Sequence, residues 1–242
     1  MRRWTPGTYG LRAMLSVATT AVAAGILTGA ALAGGGENYL PLVLGNRWEY
    51  ALPGGDTEIQ VVDRTGVVRG REVFVIAHSV DGTPIQEDYW STPDGDVLFH
   101  GYYRPIEDFG VLCDPPVKLV EAPLLSGSTW SSKVELFVLP DSLSVGFTIF
   151  SFAVTGIEEL QVPAGFFTTT AIEPLGIAAE LAGVISFPSR WVTSGIGTIR
   201  LAEGAVPHDL ETYSVVLPVL PTSWGAIKWQ SLRAEGRLPY LR

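Results

Sequence analysis

The chain has 242 residues, 47% of them hydrophobic, a formal net charge of −9, one cysteine and three histidines. So acidic a chain repels phosphate backbones and anionic lipid surfaces, which excludes nucleic acid as an expected partner. A single cysteine excludes a disulfide framework, and the length suits one large β domain or two small ones.

Arg2, Arg3 and Arg12 precede an uncharged run of small and apolar residues, Ala13 to Ala33, that ends Ala31-Leu32-Ala33. Basic, apolar, then small-x-small is the order of a secretory signal, so residues 1–33 are expected to direct export, with cleavage before Gly34. A retained anchor is the alternative, because about 20 apolar residues span a bilayer. No cysteine lies near the cleavage point to carry a lipid. The export reading places the mature protein in the periplasm or outside the cell, and removal of the leader takes away arginines but no acids, leaving the body more acidic still.

Residues 34–38 read as a glycine-rich spacer, and the chain then becomes a series of short β-prone stretches between Gly, Pro and Asp turns. The expected strands are Arg47 to Leu52, Thr57 to Asp63, Glu72 to Ser79, Gln86 to Ser91, Val97 to Tyr103, Val117 to Val120 and Thr129 to Phe137, followed by Phe147 to Ile157, Glu159 to Val162, Phe167 to Glu173, Ser186 to Thr193, Thr198 to Leu201 and Glu211 to Leu217. Phe147 to Val154 is apolar at nearly every position, which implies burial on both faces or one face against an apolar cavity. Thr92-Pro93-Asp94-Gly95-Asp96 is expected to turn a hairpin and lacks the further oxygen ligands of a calcium loop. Val162-Pro163-Ala164-Gly165-Phe166 reads as a second tight reversal.

An internal repeat is superimposed on these elements. Pro41 to Trp48 and Pro123 to Trp130 share the pattern P-L-x-x-G-x-x-W, and Trp90-Ser91-Thr92 before Gly95 parallels Trp191-Val192-Thr193 before Gly195. A tryptophan near the start of a strand buries a large flat surface and so fixes which face turns inward. The tryptophans are therefore expected in the core or lining a cavity, and Trp48, Trp90, Trp130, Phe147, Phe150, Phe152 and Trp191 are the candidate ligand-binding residues.

The motifs Y-L-P-L-x-x-G-N-x-W-x-Y over Tyr39 to Tyr50, V-P-A-G-x-F over Val162 to Phe167 and W-x-x-x-G-I-G over Trp191 to Gly197 resemble a pattern found in exported bacterial β-rich proteins of unassigned function. More distantly they resemble the lipoprotein-carrier class, in which a curved half-barrel cradles acyl chains. That resemblance implies an apolar small molecule or lipid as ligand and brings no catalytic residue. The lipid-anchored cysteine common in the carrier class is missing here.

Sequence motifs for chemistry are scarce. His78, His100 and His208 lack the short spacings of a zinc site, and no G-x-S-x-G elbow, phosphate loop or H-E-x-x-H occurs, so no metal or cofactor is expected. The pairs Glu87-Asp88, Glu107-Asp108 and Glu158-Glu159 would be needed for glycosidase-type work, yet neighbours on a strand point to opposite faces. Cys113 has no basic neighbour in sequence to activate its thiol.

Gly176 to Ile185 holds helix formers and is mostly apolar; it is expected to plug the open side of a curved sheet or to act as a lid over it. The tail, residues 221–242, reverses the charge of the body. From Trp224 onward Lys228, Arg233, Arg237 and Arg242 stand against Glu235 alone, so the tail docks across its own acidic body or meets an envelope protein.

These features imply one antiparallel all-β domain over residues 39–220, a half-barrel or barrel built from two similar meanders, with a β-sandwich as the alternative. The expected function is an exported, non-enzymatic binding or carrier module for an apolar ligand in the cell envelope. A protein-interaction or assembly factor of the envelope and a carboxylate-dependent hydrolase are the alternatives.

Overall fold

The computed structural model describes residues 37–176, 184–204 and 206–216; the expected leader, most of the expected plug and the basic tail lie outside the described residues. Twelve strands run in chain order: β1 Arg47–Ala51, β2 Thr57–Val68, β3 Arg71–Val80, β4 Thr83–Ser91, β5 Val97–Arg104, β6 Phe109–Val120, β7 Thr129–Leu139, β8 Leu143–Val162, β9 Gly165–Pro174, β10 Ser189–Thr193, β11 Gly197–Glu203 and β12 Val206–Ser214. Each pairs antiparallel with its neighbour in the chain, and β12 returns to pair with β1, so the sheet is a closed barrel. Closure settles the barrel against the sandwich.

The two meanders are equal: six strands, β1 to β6, begin with the one that holds Trp48, and six, β7 to β12, begin with the one that holds Trp130. The likeness extends to individual hydrogen bonds. Gly45 N donates to Val62 O at 2.9 Å while Val62 N donates to Asn46 O at 2.9 Å; Gly127 N donates to Val154 O at 3.0 Å while Val154 N donates to Ser128 O at 2.9 Å. A register shift follows each valine, between Val62 and Arg64 and between Val154 and Gly156. The repeated P-L-x-x-G-x-x-W is therefore one turn used twice, with Gly45 at φ +88° and Gly127 at φ +80°, a region that other residues enter with difficulty.

Strand boundaries differ from expectation: β2 runs on to Val68, β10 begins at Ser189 and β12 spans Val206–Ser214, and two further differences have a clear cause. Val117 to Val120 is only the end of β6, because Pro115 and Pro116 do not break the strand but sit where β5 skips it: Phe99 pairs with Val117 and Gly101 with Leu112. Prolines cannot donate to a ladder, and a bulge of this kind is where a sheet tolerates them. The stretch from Leu143 to Val162 is one long strand, bent at its register shift, not two.

A twelve-stranded barrel is wider than the eight-stranded kind whose side chains alone fill the interior. Two segments occupy the extra space. Before β1, Tyr39 and Leu42 are buried, Asn38 O accepts from Gly195 N at 2.7 Å, and buried Asn46 bridges Pro41 O and Val216 N, both at 2.7 Å. Between β9 and β10, Val184 to Pro188 runs inside the barrel, where Val184 O accepts from Tyr102 Oη at 2.7 Å. There the Phe187 ring meets Phe99, Phe150 and Phe152 at centroid distances of 5.4, 5.1 and 5.7 Å. Ring pairs at such spacing and near-perpendicular tilt are favourable beyond their area, so Phe187 anchors a dry aromatic core on the β5 to β8 side.

The tightest backbone approach lies beside this core. A Cβ on Gly101, at φ +135°, would stand 2.1 Å from Val111 O. Gly101→Ala is expected to lower stability by about 3 kcal/mol or more, since strain and a backbone clash add. Gly45→Ala, with open space around it, is expected to cost only about 1 kcal/mol. Equilibrium urea unfolding of both variants checks the contrast.

Candidate functional site

Alternate residues of a strand share a face, so the inward positions of β1 to β5 and β10 to β12 enclose a common space. That space is a cavity of about 360 Å³. Trp48, Trp90, Phe99 and Phe187 form its apolar side, while Glu58, His78, Asp88, Arg190 and His208 bring charged or titratable groups to the same interior.

Three of these residues form a buried ion cluster contributed by successive strands. His78 Nδ1 lies 2.6 Å from Glu58 Oε1, and His78 Nε2 lies 3.2 Å from Asp88 Oδ2, close enough for an ion pair but poorly aligned for a hydrogen bond. Glu58 also accepts from Gln60 Nε2 at 3.0 Å, and Asp88 from Gln86 Nε2 at 2.8 Å. Burial disfavours the charged imidazole, but the Asp88 and Glu58 carboxylates outweigh it and push His78 up to about 10. Burial works to raise Glu58 as well, and the hydrogen bond from His78 overrides it, holding the carboxyl below its ordinary value. A ring that keeps its proton through neutral pH is poorly suited to act as a general base there.

His100 behaves in the opposite way. It is the extra residue of a bulge in β5, its Nε2 is 2.8 Å from Ser91 Oγ, and burial, helped by Arg71, lowers it to about 4. The phenol of Tyr50, donating to Thr198 O at 2.9 Å, is held well above its usual range by burial.

The seven aromatic candidates separate into three groups. Trp48 and Trp90 line the cavity. Trp130, Phe150 and Phe152 are buried in the aromatic core around Phe187, with Trp130 stacked on Phe152 at 5.9 Å. Phe147 and Trp191 are outside. Phe147 is 65% exposed, with Lys133 Nζ 5.4 Å from its ring centre, because β8 alternates: Thr148, Phe150 and Phe152 point inward while Phe147 and Ile149 point to solvent. Continuous apolarity over Phe147 to Val154 thus does not mean burial on both faces. Trp191 lies on the outer surface, its Nε1 donating to Glu158 Oε2 at 3.2 Å, while its neighbour Val192 is buried and lines the cavity.

The parallel between Trp90 and Trp191 is off by one residue, and one residue exchanges the faces. Register shifts fall between Tyr89 and Trp90 in β4 and between Trp191 and Val192 in β10. Aligned on these bulges, Trp90 corresponds to Val192 and Asp88 to Arg190. The polar side of the cavity was missed by sequence reasoning, although its parity was available: Glu58 with Gln60, Ile76 with His78, and Gln86 with Asp88 and Trp90 each repeat at a spacing of two. As expected, Glu87 and Asp88 point to opposite faces; Glu87 pairs outside with Arg64 at 2.7 Å, and Asp88 is an interior charge.

No family model matches the chain, and no curated protein matches it. Among solved structures, it is similar to a candidate exported protein with a YmcC-like fold from Bacteroides fragilis, at 14% identity over 74% of this chain and 99% of that one, with a TM-score of 0.41. It is also similar to a candidate lipoprotein from Parabacteroides distasonis, at 11% identity over 75% of this chain and 100% of that one, with a TM-score of 0.42.

The ion cluster makes two testable demands. His78→Leu leaves two buried carboxylates without their cation and is expected to cost about 3–5 kcal/mol in urea unfolding, most of it recovered when Glu58→Gln and Asp88→Asn are added. His78 holds its proton more tightly folded than unfolded, so its stabilisation is complete below about pH 6.5 and is lost as pH rises toward about 10. Stability measured across that window should fall in the native protein and stay flatter in the triple variant.

Proposed function

We propose that this protein is an exported, non-enzymatic binding module of the cell envelope that encloses a small molecule with an apolar body inside its barrel. The leader-like N-terminus supports export. The observation that carries the reading is the cavity itself: about 360 Å³, walled by Trp48, Trp90, Phe99 and Phe187 on one side and by a few fixed polar groups on the other. This is the size and composition of a small-molecule pocket. Aromatic walls supply affinity by removing apolar surface from water, and the interior polar groups supply orientation.

A second reading, an interaction or assembly factor, draws on a different observation. Leu143, Val145, Phe147 and Ile149 form an exposed apolar stripe on β8, along a part of the strand that pairs only with β7 among the described residues. Such an edge suits addition of a strand from another protein.

Native mass spectrometry after gentle purification from the producing cell separates the two. A co-purifying small molecule whose occupancy falls in Ile85→Trp, which drives a larger ring into the cavity, is the expected result. A ligand-free barrel that is unchanged by Ile85→Trp and retains a protein partner lost in Phe147→Lys supports the second reading instead.

A further inference from the structure

Within the proposed binding reading, the interior charges are not equally satisfied. Glu58 and Asp88 share His78 and each accepts from a glutamine. Arg104, which also lines the cavity, donates to Gln86 Oε1 at 3.1 Å and pairs with Glu107 at 3.5 Å. Arg190 is different. It stands on β10 between Ile172 of β9 and Leu201 of β11, shares the inward face with Val192 and lines the cavity. Among the described residues nothing accepts a hydrogen bond from it or forms an ion pair with it. A guanidinium has five N–H donors and no acceptor, so this half-buried one, facing the cavity without a protein partner, is open to an anionic ligand.

A second donor in the same cavity is also idle. Trp90 is 7% exposed, and its buried Nε1 has no acceptor, although the equivalent atoms of Trp48 and Trp130 donate to Ile196 O at 2.7 Å and Lys118 O at 2.8 Å. The Arg190 guanidinium carbon lies 6.0 Å from the centre of the Trp90 ring, so the two unused donors belong to one neighbourhood. Burial lowers Arg190 to about 10, which leaves it a cation at neutral pH. The nearby acidic cluster cannot supply what is lacking without giving up the cation it already holds. Two donors and no acceptor, beside an aromatic wall, describe the complement of an anionic head on an apolar body.

We infer that the ligand is a small amphiphilic acid whose carboxylate pairs with Arg190 and accepts from the Trp90 indole, while its apolar part lies along Trp90, Phe99 and Phe187. A planar carboxylate matches the arginine fork in a bidentate manner, which an alcohol or an amine does not. The negative cluster of Glu58 and Asp88 repels the same head, so the acid is held in one orientation.

Isothermal titration at pH 7.5 with octanoate and with 1-octanol tests this on the full-length protein. Octanoate is expected to bind about tenfold or more tightly than the alcohol, and Arg190→Gln to remove that advantage while leaving 1-octanol affinity unchanged, as loss of a charged hydrogen bond predicts. Equal affinities, or octanoate binding that survives Arg190→Gln, overturn the inference while leaving the cavity a binding site. Binding of neither probe overturns the inference and the binding reading together. Where Arg190→Gln fails to fold, the acid-to-alcohol ratio of the native protein decides, with Arg190→Lys as the second variant. Glu180, outside the described residues, provides the internal control. If Glu180→Gln lowers the melting temperature as much as Arg190→Gln and the double variant lowers it no further, the acceptor is this chain's own carboxylate and the inference falls.

Discussion

The ladder between β1 and β12 determines what every other residue can do. Arg47 to Ala51 pair with Ser214 to Asp209 on one side and with Val61 to Thr57 on the other, so the first strand has no free edge and the sheet has an inside. Without that ring, Glu58, His78 and Asp88 would be three solvated side chains on a curved surface. With it, they are charges withdrawn from water whose mutual pairing is worth several kcal/mol to lose. Asn46 ties the segment before β1 to Val216 after β12.

The interior is divided unevenly, and the division follows from the two meanders. Both halves keep the same glycine turn, the same inward tryptophan after it and the same bulge in the following strand. They differ in what their inward positions carry. In the second half Phe150 and Phe152 close up on Phe187, and Leu136 and Ile172 are buried in the same core. In the first half, counting back from the matched Val62 and Val154, Glu58 and Gln60 stand where Phe150 and Phe152 do, with His78 and Asp88 beside them, and polar side chains of that length do not interdigitate into a solid core. The cavity lies where the duplicated plan stops being apolar.

The β architecture, its turns and the repeat were legible because Gly, Pro and Trp act locally, over four or five residues. Trp48, Trp90, Trp130, Phe150 and Phe152 were read as interior on the same ground, and all are buried. Phe147 and Trp191 were not placed correctly because their faces depend on parity counted through bulges, and composition does not reveal a bulge. His78 and Asp88 are ten residues apart in sequence and meet only through the β3–β4 register, in which Ile76 pairs with Asp88. Arg190 joins them only once β10 has been carried round the ring. Pairings of that range are decided by closure and leave no mark on a local window of sequence.

Cys113, on β6, illustrates what a sealed interior does to an otherwise reactive group. It is 1% exposed, and desolvation raises its thiol to about 12, so thiolate is scarce at any ordinary pH. Oxidants and alkylating reagents attack the thiolate, and they need access as well. The sulfur is thus chemically silent for as long as the strands stay together, and covalent dimers or mixed disulfides can form only from molecules that have come apart.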